Sequence, residues 1–88
     1  MMTSDDIRPG DLLIHHTFAI LVVSVRRHEE TIWLSVQDAW TDYFFKTGLR
    51  TVKWMDDSEH DDFYLVSVRG REGLVRGFIL YSHEGEPK

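Results

Sequence analysis

The segment from Phe18 to Gln37 constrains this chain more than any other feature, because it reads as two strands joined by a tight polar turn. Phe18 to Arg27 carries Ile20, Val22, Val23 and Val25, whose branched side chains are stiff at χ1 and pack well on a pleated surface. Arg27-His28-Glu29-Glu30 supplies the turn, and Thr31 to Gln37 then alternates. Ile32, Leu34 and Val36 share one face of that strand; Trp33, Ser35 and Gln37 share the other. Period-two alternation on both sides of a polar turn predicts an antiparallel hairpin. Both faces of the first strand are apolar at its start, which predicts a central strand covered on both sides.

The flanking sequence extends the same pattern. Ile7-Arg8-Pro9-Gly10-Asp11 reads as a turn, since Pro presets φ and the following Gly accepts a positive φ. Leu12 to His15 follows as a short first strand, Thr51 to Met55 as a later one with Val52 and Trp54 on one face, and Phe63 to Arg69 as another. Gly70-Arg71-Glu72-Gly73 then turns the chain into a return strand from Leu74 to Ser82. Asp38 to Thr47 supports two readings. Val36, Ala39, Trp40, Tyr43 and Phe44 make a helical stripe, with Gly48 suited to end it. Thr41, Tyr43, Phe44 and Phe45 favour a strand or irregular structure, the reading we prefer. The fold class is therefore all-β, with one short helix near 38–47 as the alternative: a small barrel or rolled antiparallel sheet of 5–7 strands. A chain of 88 residues makes a single domain over 1–88, with polar tails at 1–6 and 83–88 expected to fray. Such a chain buries roughly 60–65% of the surface its unfolded form exposes, enough for one small core.

Pro9-Gly10-Asp11-Leu12-Leu13, the long strand Phe18–Arg27, the return strand Thr31–Gln37 and two further short strands ending at Phe63–Val68 together resemble the layout of small SH3-like β-barrel proteins, short phage-type proteins among them. The resemblance covers residues 9–68, and the strand at 74–82 goes beyond the usual five. It implies a barrel. Barrels of this kind host peptide binding, nucleic-acid binding and assembly, so it leaves the function open.

Composition removes several chemistries. There is no cysteine, hence no disulfide framework, thiolate metal site or Cys nucleophile. No GxSxG, GxxxxGK[ST] or GxGxxG occurs. The five histidines His15, His16, His28, His60 and His83 include no i, i+4 pair and no HExxH. These absences predict no catalytic residues, no resident metal and no cofactor. The longest apolar run, Phe18 to Val23, is far short of the about 20 residues a membrane helix needs. Met1 to Asp6 is polar and acidic rather than a signal peptide, which predicts a cytoplasmic protein without a membrane partner.

Charge is unevenly placed. Asp56, Asp57, Glu59, Asp61 and Asp62 lie within seven residues and account for the whole formal excess of -5. The segment reads first as a solvated loop that keeps neighbouring apolar strands soluble. It also offers an anionic docking site for a basic partner, through Asp57, Glu59 and Asp61. Those three alternate as calcium-loop ligands do. The sixth loop position, however, is Asp62 rather than glycine, and the twelfth is Val68 rather than glutamate, so an EF-hand is excluded. A metal-binding or enzymatic role for loop 56–62, with His60 among its carboxylates, is the first alternative function. The second is weak nucleic-acid binding through Arg50, Lys53, Arg69, Arg71 and Arg76. It is disfavoured because phosphate contacts need a basic face and the chain is acidic.

The aromatic residues complete the reading. Most of the eleven must be core, but Trp33 lies opposite Ile32, Leu34 and Val36, and Trp40 and Trp54 flank the uncertain segment and the acidic loop. Exposed Trp anchors many binding surfaces. The sequence thus predicts a non-enzymatic protein-interaction or assembly module on a small β-barrel. Its partner is a protein, self-association included, and its candidate contact residues are Trp33, Trp40, Trp54, Asp57, Glu59 and Asp61.

Overall fold

The computed structural model describes residues 2–41, 49–57, 59 and 63–81. The fold is all-β. After a 3-10 turn at Ser4–Asp6 come β1 (Leu12–Ile14), β2 (Phe18–His28), β3 (Thr31–Thr41), β4 (Leu49–Asp56), β5 (Phe63–Val66), β6 (Glu72–Val75) and β7 (Gly77–Tyr81). All are antiparallel neighbours in one sheet of order β6-β5-β1-β2-β3-β4-β7.

This order forces the sheet to roll. β6 and β7 occupy opposite edges, yet only Arg76 separates them in the chain. A flat seven-strand sheet would set its edges about 29 Å apart, whereas two residues reach about 7 Å. The sheet therefore curls until its edges meet at the Arg76–Gly77 corner. Gly77 is required there for space: a Cβ would lie 2.5 Å from the Met55 carbonyl oxygen and 2.5 Å from the Trp54 ring. The single return strand expected at 74–82 is corrected accordingly. It is two short strands, one on each edge, because the chain must change partners from β5 to β4.

The hairpin of β2 and β3 is longer than the sequence suggested and turns through Glu29-Glu30. Two register shifts interrupt it, at Ala19/Ile20 and Val22/Ser24. The second leaves Val23 as an extra residue on β2, and this bulge inverts the alternation along the strand. Ile20 and Val22 point inward before it; beyond it Val25 is the half-buried one and Ser24 is exposed. The covering expected on both faces of β2 is found only at its start, where Ala19 and Ile20 are both buried. β2 is central in the sheet, but Leu21 and Val23 are exposed on its outer side.

The interior is built from cross-strand rows. Leu65, Leu13 and Ile20 are paired across β5, β1 and β2, and Leu34 and Val52 across β3 and β4. All five are fully buried. Ile7, Val22, Val36, Trp54, Phe63 and Val75 complete the cluster. The helix alternative near 38–47 fails over Asp38–Thr41, which continue β3; the rest of that segment lies outside the described residues. Thr3 caps the 3-10 turn through its hydroxyl, its N–H donates to Asp6, and Ser4 is buried. Residues 83–88 lie outside the described residues.

Candidate interaction surfaces

The N-terminal segment crosses one mouth of the rolled sheet and is held there by polar contacts. Ser4 Oγ donates to Asp56 Oδ2 at 2.9 Å, and Trp54 Nε1 donates to Asp56 Oδ1 at 2.8 Å. Arg27 donates to the Ser4 carbonyl and Arg71 to the Asp6 carbonyl, both at 3.1 Å. These cations meet the carbonyl end of the turn, where negative partial charge gathers. Asp56, expected as part of an anionic loop, thus serves the core as an acceptor for a buried indole.

The same network disposes of one candidate. Trp54 is 3% exposed, with its ring 5.4 Å from that of Phe63, so it is a core residue and not a surface anchor. It pairs with Ile32 on β3, in the inward row, because Val52 and Trp54 share the face that the roll turns inside. Trp33 lies on the outer face, half-exposed, directly between Arg26 on β2 and Lys53 on β4. The Trp40 side chain and Asp61 lie outside the described residues, as does His60. Asp57 is half-buried and accepts the Glu59 N–H at 2.8 Å, and Glu59 is exposed. Among the described residues no three His, Asp or Glu side chains gather as a metal site requires. The cations considered for nucleic acid are dispersed. Arg50 pairs with Asp38, Lys53 faces outward on β4, Arg76 sits at the β6–β7 corner, and Arg69 and Arg71 belong to the β5–β6 turn. No helix among the described residues is long and apolar enough to cross a membrane.

Two surfaces stand out that sequence reasoning did not isolate. The first is the outer face of β1, β2, β5 and β6. Leu21, Leu12 and Val66 are paired in one cross-strand row ending at Glu72; Ile14, Tyr64 and Leu74 are paired in the next. Leu21, Tyr64 and Leu74 are 36–46% exposed, and the other three apolar residues are half-buried. The Glu72 carboxylate, on the neighbouring strand, favours the neutral Tyr64 phenol and raises its pKa above the ordinary value. Alternation in β5 and β6 placed these side chains together. It could not say that this face would be the outer one.

The second surface is a depression of about 310 Å³ between the turn Arg8–Asp11 and the turn Ser67–Arg71. Asp11 and Ser67 are buried at its base, and Arg8, Val68 and Arg69 are exposed at its rim. The Asp11 carboxylate accepts the Arg8 N–H at 2.9 Å and pairs with Arg71 at 3.3 Å. No family model, curated protein or solved structure matches this chain.

Proposed function

We propose that this protein is a non-enzymatic assembly module that associates with a second copy of itself through the outer face of β1, β2, β5 and β6. The observation that carries the reading is the pair of adjacent apolar rows on that face, Leu21–Leu12–Val66 and Ile14–Tyr64–Leu74. Contiguous exposed apolar surface is the mark of a contact site, whereas scattered apolar residues are ordinary. A second copy suits it because the face is almost uncharged. Glu72, at the end of one row, is the one ionised group in the two rows. Two such faces meet by a two-fold axis with little like-charge opposition within the rows themselves. The patch is small, so the contact belongs to the weak class below about 1,200 Å² of total buried area. The layout similarity to SH3-like barrels is part of the same proposal and agrees with an assembly role.

Sedimentation velocity over a rising concentration series tests it. The wild-type chain shows reversible, concentration-dependent association. A Leu21→Lys/Leu74→Lys double variant with unchanged circular dichroism stays monomeric. A wild-type chain that remains monomeric throughout, or a double variant that associates equally, overturns the proposal.

A further inference from the structure

We infer that the depression between the turns Arg8–Asp11 and Ser67–Arg71 is a docking site for an acidic peptide segment of a protein partner, with Arg8 and Arg69 receiving its carboxylate. The inference rests on the reading of the chain as a protein-interaction module but not on the apolar face.

Both turns are fixed before any ligand arrives. In the first, the Asp11 N–H donates to the Arg8 carbonyl at 3.1 Å, Gly10 takes φ 93°, and the Asp11 carboxylate holds the Arg8 N–H. In the second, the Gly70 N–H donates to the Ser67 carbonyl at 3.1 Å, and the Ser67 hydroxyl accepts the N–H groups of Arg69 and Arg71 at 3.3 and 3.0 Å. Two arginines therefore stand on rigid backbones at the rim of one concavity, which lowers the ordering cost of binding. Their guanidinium groups have no ion partner among the described residues. The one carboxylate among the described lining residues is already committed, because Asp11 is 3% exposed and answers Arg71 and the Arg8 N–H. The local charge is thus positive within a chain of net charge -5.

Guanidinium groups match planar oxyanions by paired hydrogen bonds. Pro9 and Val68 select among the sources of such an oxyanion. Val68 is 91% exposed beside the arginines, and Pro9 lines the same depression. An acidic residue next to an apolar one uses both features, whereas inorganic phosphate uses only the charges. Nucleic acid fits worse, since two uncommitted cations neutralise too few phosphates to hold a polyanion against the chain's acidity.

Amide chemical-shift titration of the intact 15N-labelled protein tests the inference. The probe is acetyl-Leu-Glu-Val-Glu-Leu-amide, with its glutamine counterpart and inorganic phosphate as separate arms. The acidic peptide moves the amides of Arg8, Gly10, Arg69 and Gly70 to saturation, and the glutamine peptide and phosphate do not. Arg8→Gln and Arg69→Gln each weaken binding about tenfold, while Lys53→Gln on the opposite face leaves it unchanged. Equal shifts with the glutamine peptide, saturation of the same amides by phosphate, no saturation by the acidic peptide, or unchanged affinity in the arginine variants overturns the inference. A Leu21→Lys/Leu74→Lys protein that no longer self-associates still titrates normally, so failure here is separable from failure of the assembly reading.

Discussion

The inner and outer faces of the same strands hold the same kinds of residue and meet opposite fates. On β1 and β5, Leu13 and Leu65 are fully buried, while their neighbours Leu12, Ile14, Tyr64 and Val66 face outward. On β2, Ile20 and Val22 lie in the core, and Leu21 and Val23 lie in solvent. Hydrophobicity therefore did not choose the inside. Curvature did: the concave face of a rolled sheet crowds its side chains together, and the convex face spreads them apart. Apolar residues kept on the convex side contribute little to folding, which leaves them available for contact with another molecule.

Truncation across the two faces sharpens the contrast most. Leu34→Ala removes a side chain with no exposed surface and is expected to cost about 2–5 kcal/mol. Leu74→Ala on the outer face is expected to cost under about 0.5 kcal/mol. Urea unfolding of the two variants measures both, and similar losses would break the comparison. The corner that permits the roll comes next. Gly77→Ala drives a Cβ onto the Met55 carbonyl and the Trp54 ring, and is expected to lower stability by about 1–3 kcal/mol in the same assay.

The polar support of the inner face ranks third. Asp56→Ala leaves the buried Trp54 Nε1–H and the Ser4 hydroxyl without their acceptor, at an expected cost of about 1–3 kcal/mol. Asp56→Asn retains an acceptor and is expected to lose less. Tryptophan emission followed through unfolding reports both. The smallest effect belongs to the outer face. The Glu72 carboxylate beside Tyr64 favours the neutral phenol and so raises its pKa. That contribution is complete below the ordinary tyrosine range and is lost as pH rises through the raised folded value. Absorbance titration of tyrosinate should show a late-titrating tyrosine whose onset moves to lower pH in Glu72→Ala.

Local pattern carried much of the architecture. The hairpin at Phe18–Gln37, the positive-φ glycine after Pro9, and the shared face of Val52 and Trp54 were all legible, because each depends on residues close in the chain. The candidate site was far less so. Trp54 looked like a surface anchor by its place beside acidic residues, yet Asp56 and Ser4 turn it into a hydrogen-bonded core residue. The Val23 bulge hid which half of β2 faces inward, since one extra residue inverts a period of two. Arg8 and Arg69 gave no joint signal, being 61 residues apart in the numbering until β1 pairs with β5.

By itself, the amino-acid sequence determined that this chain would be built of short antiparallel strands, and which side chains would share a face within each. Alternation and turn chemistry act over a few residues and need no distant partner. Only the tertiary structure decided which face lies inside, where the seventh strand goes, and which turns meet to make a cationic depression. Those outcomes depend on how the sheet curls and on which strands become neighbours, and pairing across the chain is energetically specified by the packed whole rather than by any local segment.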